Sequence, residues 1–207
     1  MPKTSALRVK RTSRNRDFLE RGLRANRLNR MDPRNYTASV TLNDGTMVTV
    51  RAVRREDADA FLKAFKNLDR ESVYRRFFSP KKELTDAELA QLTDVDFSRV
   101  VALLVTKQTG NGEVLMGGGR YATDNPSSGQ AEIAFVTDGT YRGLGVASHI
   151  LRHLVRLAQD SGVTHFEADV LAENQPMLAV FRRSGLPMQL ERDGGVLHVT
   201  LALQPAS

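Results

Sequence analysis

The sequence predicts an α/β protein with a mixed sheet: one central sheet, mostly antiparallel, containing a single βαβ unit and carrying helices on both faces. Three observations lead there. Residues 100–137 hold three apolar, β-branched runs separated by short turns, the pattern of an antiparallel meander. Residues 130–171 read strand, helix, strand, a connection that makes the two strands parallel. Hairpin patterns stand before and after this stretch.

The elements follow in order. Residues 1–38 are Arg-rich and Asn-rich, with Arg21, Arg24, Arg27 and Arg30 at every third position. They read as a basic extension, partly disordered or helical, that Asp32-Pro33 closes. Residues 39–207 read as the folded domain. Val40 to Leu42, the Asn43-Asp44-Gly45 turn and Thr46 to Val53 form a hairpin, with Asp-Gly as a two-residue turn. Ala58, Phe61, Leu62, Phe65 and Leu68 have helical spacing. Thr85, with Glu88 three residues on, is a capping box that opens a second helix. Strands at 100–106, 113–123 and 130–137 make the meander, and Gly117-Gly118-Gly119 marks a bulge or a close backbone approach. A helix over 145–160 carries a broad apolar stripe and stops at Gly162. A strand at 164–171, a helix at 174–184 and a hairpin turned at Asp193-Gly194-Gly195 complete the chain.

Composition narrows the function. Hydrophobic residues are 41% and charged residues 26%, as in ordinary globular proteins. The chain has 0 Cys, which removes disulfides, thiolate metal sites and a Cys nucleophile. No run approaches the roughly 18 to 20 apolar residues of a membrane span, and no signal-like segment opens the chain; a cytoplasmic location is expected. The net charge of +6 is uneven. Residues 1–40 hold 11 Lys/Arg against 3 Asp/Glu, and the rest hold 19 against 21. The basic extension therefore suits contact with nucleic acid, the ribosome or an acidic partner, and the mildly acidic remainder suits a cationic substrate. His149 and His153 have a spacing that can hold a metal, but no HExxH pattern accompanies them. They read as a solvated helix face, and no metal is expected.

The most informative stretch is Glu132 to Ala147. A strand ends near Thr137, and two glycines stand where a helix begins. Helix N-termini carry free N–H groups and a partial positive charge, and glycine lets phosphate oxygens come close. A ligand bearing a di- or triphosphate is expected there. Gly143-x-Gly145-x-x-Ser148 approaches a dinucleotide fingerprint but misses its third position, and antiparallel hairpins precede its strand. A Walker Gly-Lys-Ser/Thr is absent.

Arg142-Gly143-Leu144-Gly145-Val146-Ala147 matches the acetyl-CoA fingerprint Q/R-x-x-G-x-G/A, and Asn174-Gln-Pro-Met177 opens a second helix running to Phe181 and Gly185-Leu186. On these motifs, taken in this order, residues 40–203 resemble the GNAT superfamily of N-acetyltransferases. Ser72-Val-Tyr74-Arg-Arg-Phe77-Phe78, Leu84-Thr85-Asp86, Leu92-Thr-Asp-Val-Asp-Phe97 and Val170 to Met177 look like the GNAT domain of bacterial Pat-type protein lysine acetyltransferases. Tyr74, Phe77 and Phe78 also suit plain core packing.

The resemblance implies the GNAT fold, acetyl-CoA as donor and a protein substrate with a target lysine. A small amine or aminoacyl acceptor, and an RNA- or ribosome-associated binder built on the same domain, stand as alternatives. Glu132 is the implied general base. Its neighbours Ile133 to Val136 are apolar, and a carboxylate in apolar surroundings holds its proton more tightly, which suits a base at neutral pH. Phe135, Val136 and Thr137 are expected along the pantetheine, with the N–H of Val136 or a neighbour at the thioester carbonyl. Arg142, Gly143, Leu144, Gly145, Val146 and Ala147 are expected around the pyrophosphate. Asn174 is expected either at the coenzyme A arm or as an N-cap. Many family members place Tyr seven residues after that Asn. Here the position is Phe181, so solvent, Tyr141 or no acid at all serves the leaving thiolate. A monomer or homodimer is expected.

Overall fold

In a computed structural model, the structure describes residues 32–68, 73 and 81–203, all in the unit Asp32–Ser207. The basic segment as far as residue 31, and Tyr74, Phe77 and Phe78, lie outside the described residues. No helix among those described is long and apolar enough to cross a membrane.

The strands are β1 (Thr37–Thr41), β2 (Met47–Ala52), β3 (Val100–Thr109), β4 (Gly112–Ala122), β5 (Gln130–Thr137), β6 (His165–Leu171), β7 (Met188–Asp193) and β8 (Val196–Ala202); the helices are α1 (Ala58–Asn67), α2 (Asp86–Thr93), α3 (Val146–Asp160) and α4 (Gln175–Arg183). One sheet runs β1-β2-β3-β4-β5-β6-β8-β7. Every pair is antiparallel except β5 with β6, as the long crossover through α3 requires.

Alternation along β3 divides the interior. Val101, Leu103 and Val105 join the main core with Ile150, Leu151, Leu154 and Leu157 of α3. Ala102 and Leu104 face the other way, with Val53 and, from α1, Phe61. Helix α3 buries a stripe at Val146, Ile150, Leu151, Leu154, Leu157 and Ala158. Burial of a Leu or Ile side chain contributes about 1.5–3 kcal/mol relative to exposure.

The glycine run makes the close backbone approach, and the bulge lies beside it at Met116. Val105 pairs with Gly117 and Thr106 with Leu115, so Met116 is an extra residue, a β-bulge. Helix α3 then lies almost on the strand. A Cβ on Gly119 would stand 2.6 Å from Ile150 Cγ2 and 2.8 Å from Phe135 Cδ1.

The first hairpin differs from expectation. Its loop is the three residues Asn43-Asp44-Gly45. Gly45 N–H donates to the Leu42 carbonyl at 3.0 Å and Leu42 N–H to Thr46 at 2.9 Å. Only Gly45 has positive φ, at 84°, because a type I turn closed by one left-handed residue needs no other. Asp32 accepts from Arg34 N–H and caps the short 3-10 turn Pro33–Asn35; the helix it is expected to close lies outside the described residues.

Candidate active site

Strands β5 and β6 are paired at only three rungs, the last joining Glu132 to Glu167. Beyond it β5 stays with β4 as far as Thr137–Gly117, while β6 stays with β8 as far as Leu171–Val196. The two strands therefore fork. The Met116 bulge stands where β4 carries the end of β5, and a bulge raises local twist. Between the arms is a cleft of about 550 Å³. Glu132 to Thr137 form one wall, Ala168 to Val170 the other, and Asn174, Met177 and Phe181 of α4 close one side. The β6-facing backbone edge of β5 has no strand partner past Glu132.

At the head of the cleft is the turn into α3, where Gly143, Gly145, Val146 and Ala147 line the wall. Gly145 is the N-cap, with φ 91°, a left-handed conformation that costs glycine little. It caps through no side chain. The N–H groups of Gly143 to Ser148 meet no acceptor among the described residues. A cleft that offers a row of free donors at a helix start and an unpaired strand edge beside it fits a long ligand with a phosphate end and amide groups. Leu144 points instead into the core, packed against the main cluster. Arg142 is exposed and lines the cleft.

Glu132 lies in the fork and lines the cleft, on the sheet face away from α3. Its apolar sequence neighbours do not surround it. Ala131 and Ile133 alternate to the buried face and Glu132 to the exposed one, so the burial argued from the sequence is absent. Asn174 lines the cleft while its side-chain oxygen accepts from Met177 N–H at 3.3 Å, capping α4. Its amide nitrogen is left for other contacts. Phe181 is buried, edge-on to Phe135 with ring centroids 6.0 Å apart.

His149 and His153 are not a solvated face. Tyr36, leading into β1, covers this side of α3 and hydrogen-bonds its hydroxyl to His153 Nδ1. Burial, and then the charges of His149, Arg152 and Arg156, hold the His153 pKa below its usual value. Burial and then Arg152 do the same for His149.

Of the cleft residues that escaped the sequence reading, Asp169 and Asn43 make specific polar contacts. Asp169 stands on the β6 arm, and its carboxylate meets His198 Nδ1 of β8 at 2.5 Å. The alternation of His165, Glu167 and Asp169 marks them as outward, but only pairing shows what they face. Asn43 is the other. It reaches the turn before α3 from a hundred residues away in sequence, its side-chain amide donating to the Gly143 carbonyl at 3.1 Å.

Residues 48–187 match the model of the family described as Acetyltransferase (GNAT) domain. An acetyltransferase of Pseudomonas aeruginosa is 30% identical over 138 residues, 66% of this chain and 73% of its own length. Acetyltransferase Pat of Mycolicibacterium smegmatis is 28% identical over 166 residues, covering 80% of this chain; the matched part is 49% of Pat, so the chain spans about half that protein. The crystal structure of the GNAT domain of S. lividans PAT superposes with a TM-score of 0.73 at 29% identity, over 81% of this chain and 97% of that one.

Proposed function

The chain belongs to the GNAT acetyltransferase family and is an acetyl-CoA-dependent acyltransferase, and from that premise we propose that it acetylates lysine side chains of a protein acceptor with Glu132 as general base. One observation carries the reading: Glu132 is the last paired residue before the fork, at the edge of the cleft where donor and acceptor must meet. The likeness of residues 72–97 and 170–177 to Pat-type enzymes, and the similarity to Pat itself, support a lysine acceptor.

Acetyl-CoA supplies an activated thioester. The protein's share is binding, placement and one proton. The unpaired edge of β5 at Phe135, Val136 and Thr137 takes the pantetheine amides as an added strand would. The donor to the thioester carbonyl is a neighbour of Val136, the N–H of Phe135 or Thr137 on the open edge of β5, because Val136 is paired with Gly118 and turns its own N–H and carbonyl toward β4. A donor there counts most as negative charge gathers. The N–H groups from Gly143 to Ala147 take the pyrophosphate, with Arg142 adding charge. The Asn174 amide nitrogen contacts the coenzyme A arm. An apolar pocket of about 50 Å³ between Phe61, Phe65, Leu115 and Val136 is sized for a short acyl tail. A lysine ammonium, with a reference pKa of about 10.4, must lose a proton before its nitrogen can attack. Glu132 takes that proton directly or through a water. Phe181 has none to return, and a coenzyme A thiolate can leave without one.

The test is incubation with acetyl-CoA and a cell extract, read by mass spectrometry for new acetyl-lysines. Glu132→Gln should lower the rate about 100-fold or more while coenzyme A affinity holds. Equal acetylation by the variant removes Glu132 from the base role, and acceptors without lysine overturn the acceptor assignment.

A further inference from the structure

We propose that Asn43, at the tip of the β1–β2 hairpin, is a positioning residue for the acyl donor: it fixes two peptide planes of the turn before α3 so that their N–H groups face the pyrophosphate. This rests on the reading of that turn as the pyrophosphate seat. Asn43 lies before the residues that match the family model, which begin at 48.

The geometry is specific. The Asn43 side-chain amide donates to the Gly143 carbonyl at 3.1 Å, and its backbone N–H donates to the Leu144 carbonyl at 3.0 Å. In a trans peptide the C=O and the following N–H point in opposite directions. Holding the Gly143 carbonyl toward the hairpin therefore turns the Leu144 N–H away from it. Holding the Leu144 carbonyl does the same for the Gly145 N–H. Neither N–H has an acceptor among the described residues.

The turn needs such a hold. Gly143 and Gly145 have φ of 78° and 91°, and glycine leaves the alternatives to these conformations cheap. A flipped peptide would present a carbonyl oxygen to the phosphates. The clamp is itself rigid. Leu42, next to Asn43, is buried, and Asp44 accepts from both the N–H and the hydroxyl of Thr46 at 3.0 Å. The fit is close as well, since a Cβ on Gly145 would stand 3.2 Å from Asn43 Oδ1. The ordering of the turn is thus met on folding rather than on binding, which is how preorganisation raises affinity.

The test compares coenzyme A with pantetheine, which lacks the pyrophosphate, by calorimetry on the full chain. Wild type should bind coenzyme A at least about tenfold more tightly than pantetheine. Asn43→Ala should weaken coenzyme A about three- to tenfold and raise the KM for acetyl-CoA alike, with pantetheine affinity and kcat within about twofold. Asn43→Asp keeps the volume, loses the donor and sets a carboxylate by the phosphates, so it should weaken coenzyme A more than alanine does. Melting temperatures accompany each variant. A merely structural role would move both ligands together, and that result, or wild-type coenzyme A affinity in both variants, overturns the proposal. Equal wild-type affinity for coenzyme A and pantetheine overturns instead the pyrophosphate seat on which it rests.

Discussion

On one side of β3 and β4 the sheet is held by packing, and on the other by charge. The α3 face is a continuous apolar layer, with Ile150 and Phe135 seated against Gly119 at distances that leave no room for a methyl group. Among the described residues the opposite face buries fewer apolar side chains, Val53, Ala102, Leu104 and, from α1, Phe65, with a partly exposed Phe61 beside them. Its helices are fastened by polar devices. Arg51, 6% exposed, bonds Asp57 at the start of α1 through both terminal nitrogens, at 2.8 and 2.7 Å, and Glu113 of β4 at 3.0 and 2.6 Å. Thr85 and Glu88 cap α2 reciprocally. The turn proposed to seat the donor thus stands on the close-packed side, where geometry is least compliant. Among the described residues, the side carrying α1 and α2 is pinned at a few polar points.

Removing Arg51 breaks that contrast most severely. Arg51→Ala leaves the Asp57 carboxylate buried without its partner, and about 3–5 kcal/mol of stability should go, measured by urea unfolding. Because the clamp lies across the sheet from α3, coenzyme A affinity of the folded fraction should hold; a fall in affinity would show that the two faces are coupled. Gly119→Ala comes next. It should cost about 1–3 kcal/mol by overpacking, and unlike the first variant it should also raise the KM for acetyl-CoA, since it pushes on Phe135 in the cleft wall. The smallest effect is in pH. The His153 pKa is lowered in the folded chain, chiefly by burial, so the unfolded chain binds the proton first as pH falls. Stability should be full above about pH 6.5 and decline as pH drops below it toward the lowered folded value. His153→Gln should flatten that slope, and an unchanged slope would mean that the Tyr36 cover over this part of α3 does not hold in solution.

Much of this was legible in the sequence because it is local. The α3 stripe, the Thr85 capping box, the meander and the turn at Gly143 and Gly145 each depend on residues within a few positions of one another. Reading the surroundings of Glu132 from Ile133 and Val136 failed for a simple reason: in a strand, adjacent residues face opposite sides. The histidines failed because a helical spacing shows which residues share a face and not what covers it, and Tyr36 lies more than a hundred residues away. The Asn43-Asp44-Gly45 turn was recognisable, but its loop length was not, since Asp-Gly serves both two- and three-residue loops.

By itself the sequence determined the order of strands and helices, the glycine turn before α3 and the family, because periodicity, capping and the fingerprint are written in neighbouring residues. Only the tertiary structure decided where β5 parts from β6, which side of β5 carries Glu132, and that Asn43 braces the turn. Those follow from strand pairing and register between distant segments, which are set when the sheet closes and which no local pattern encodes.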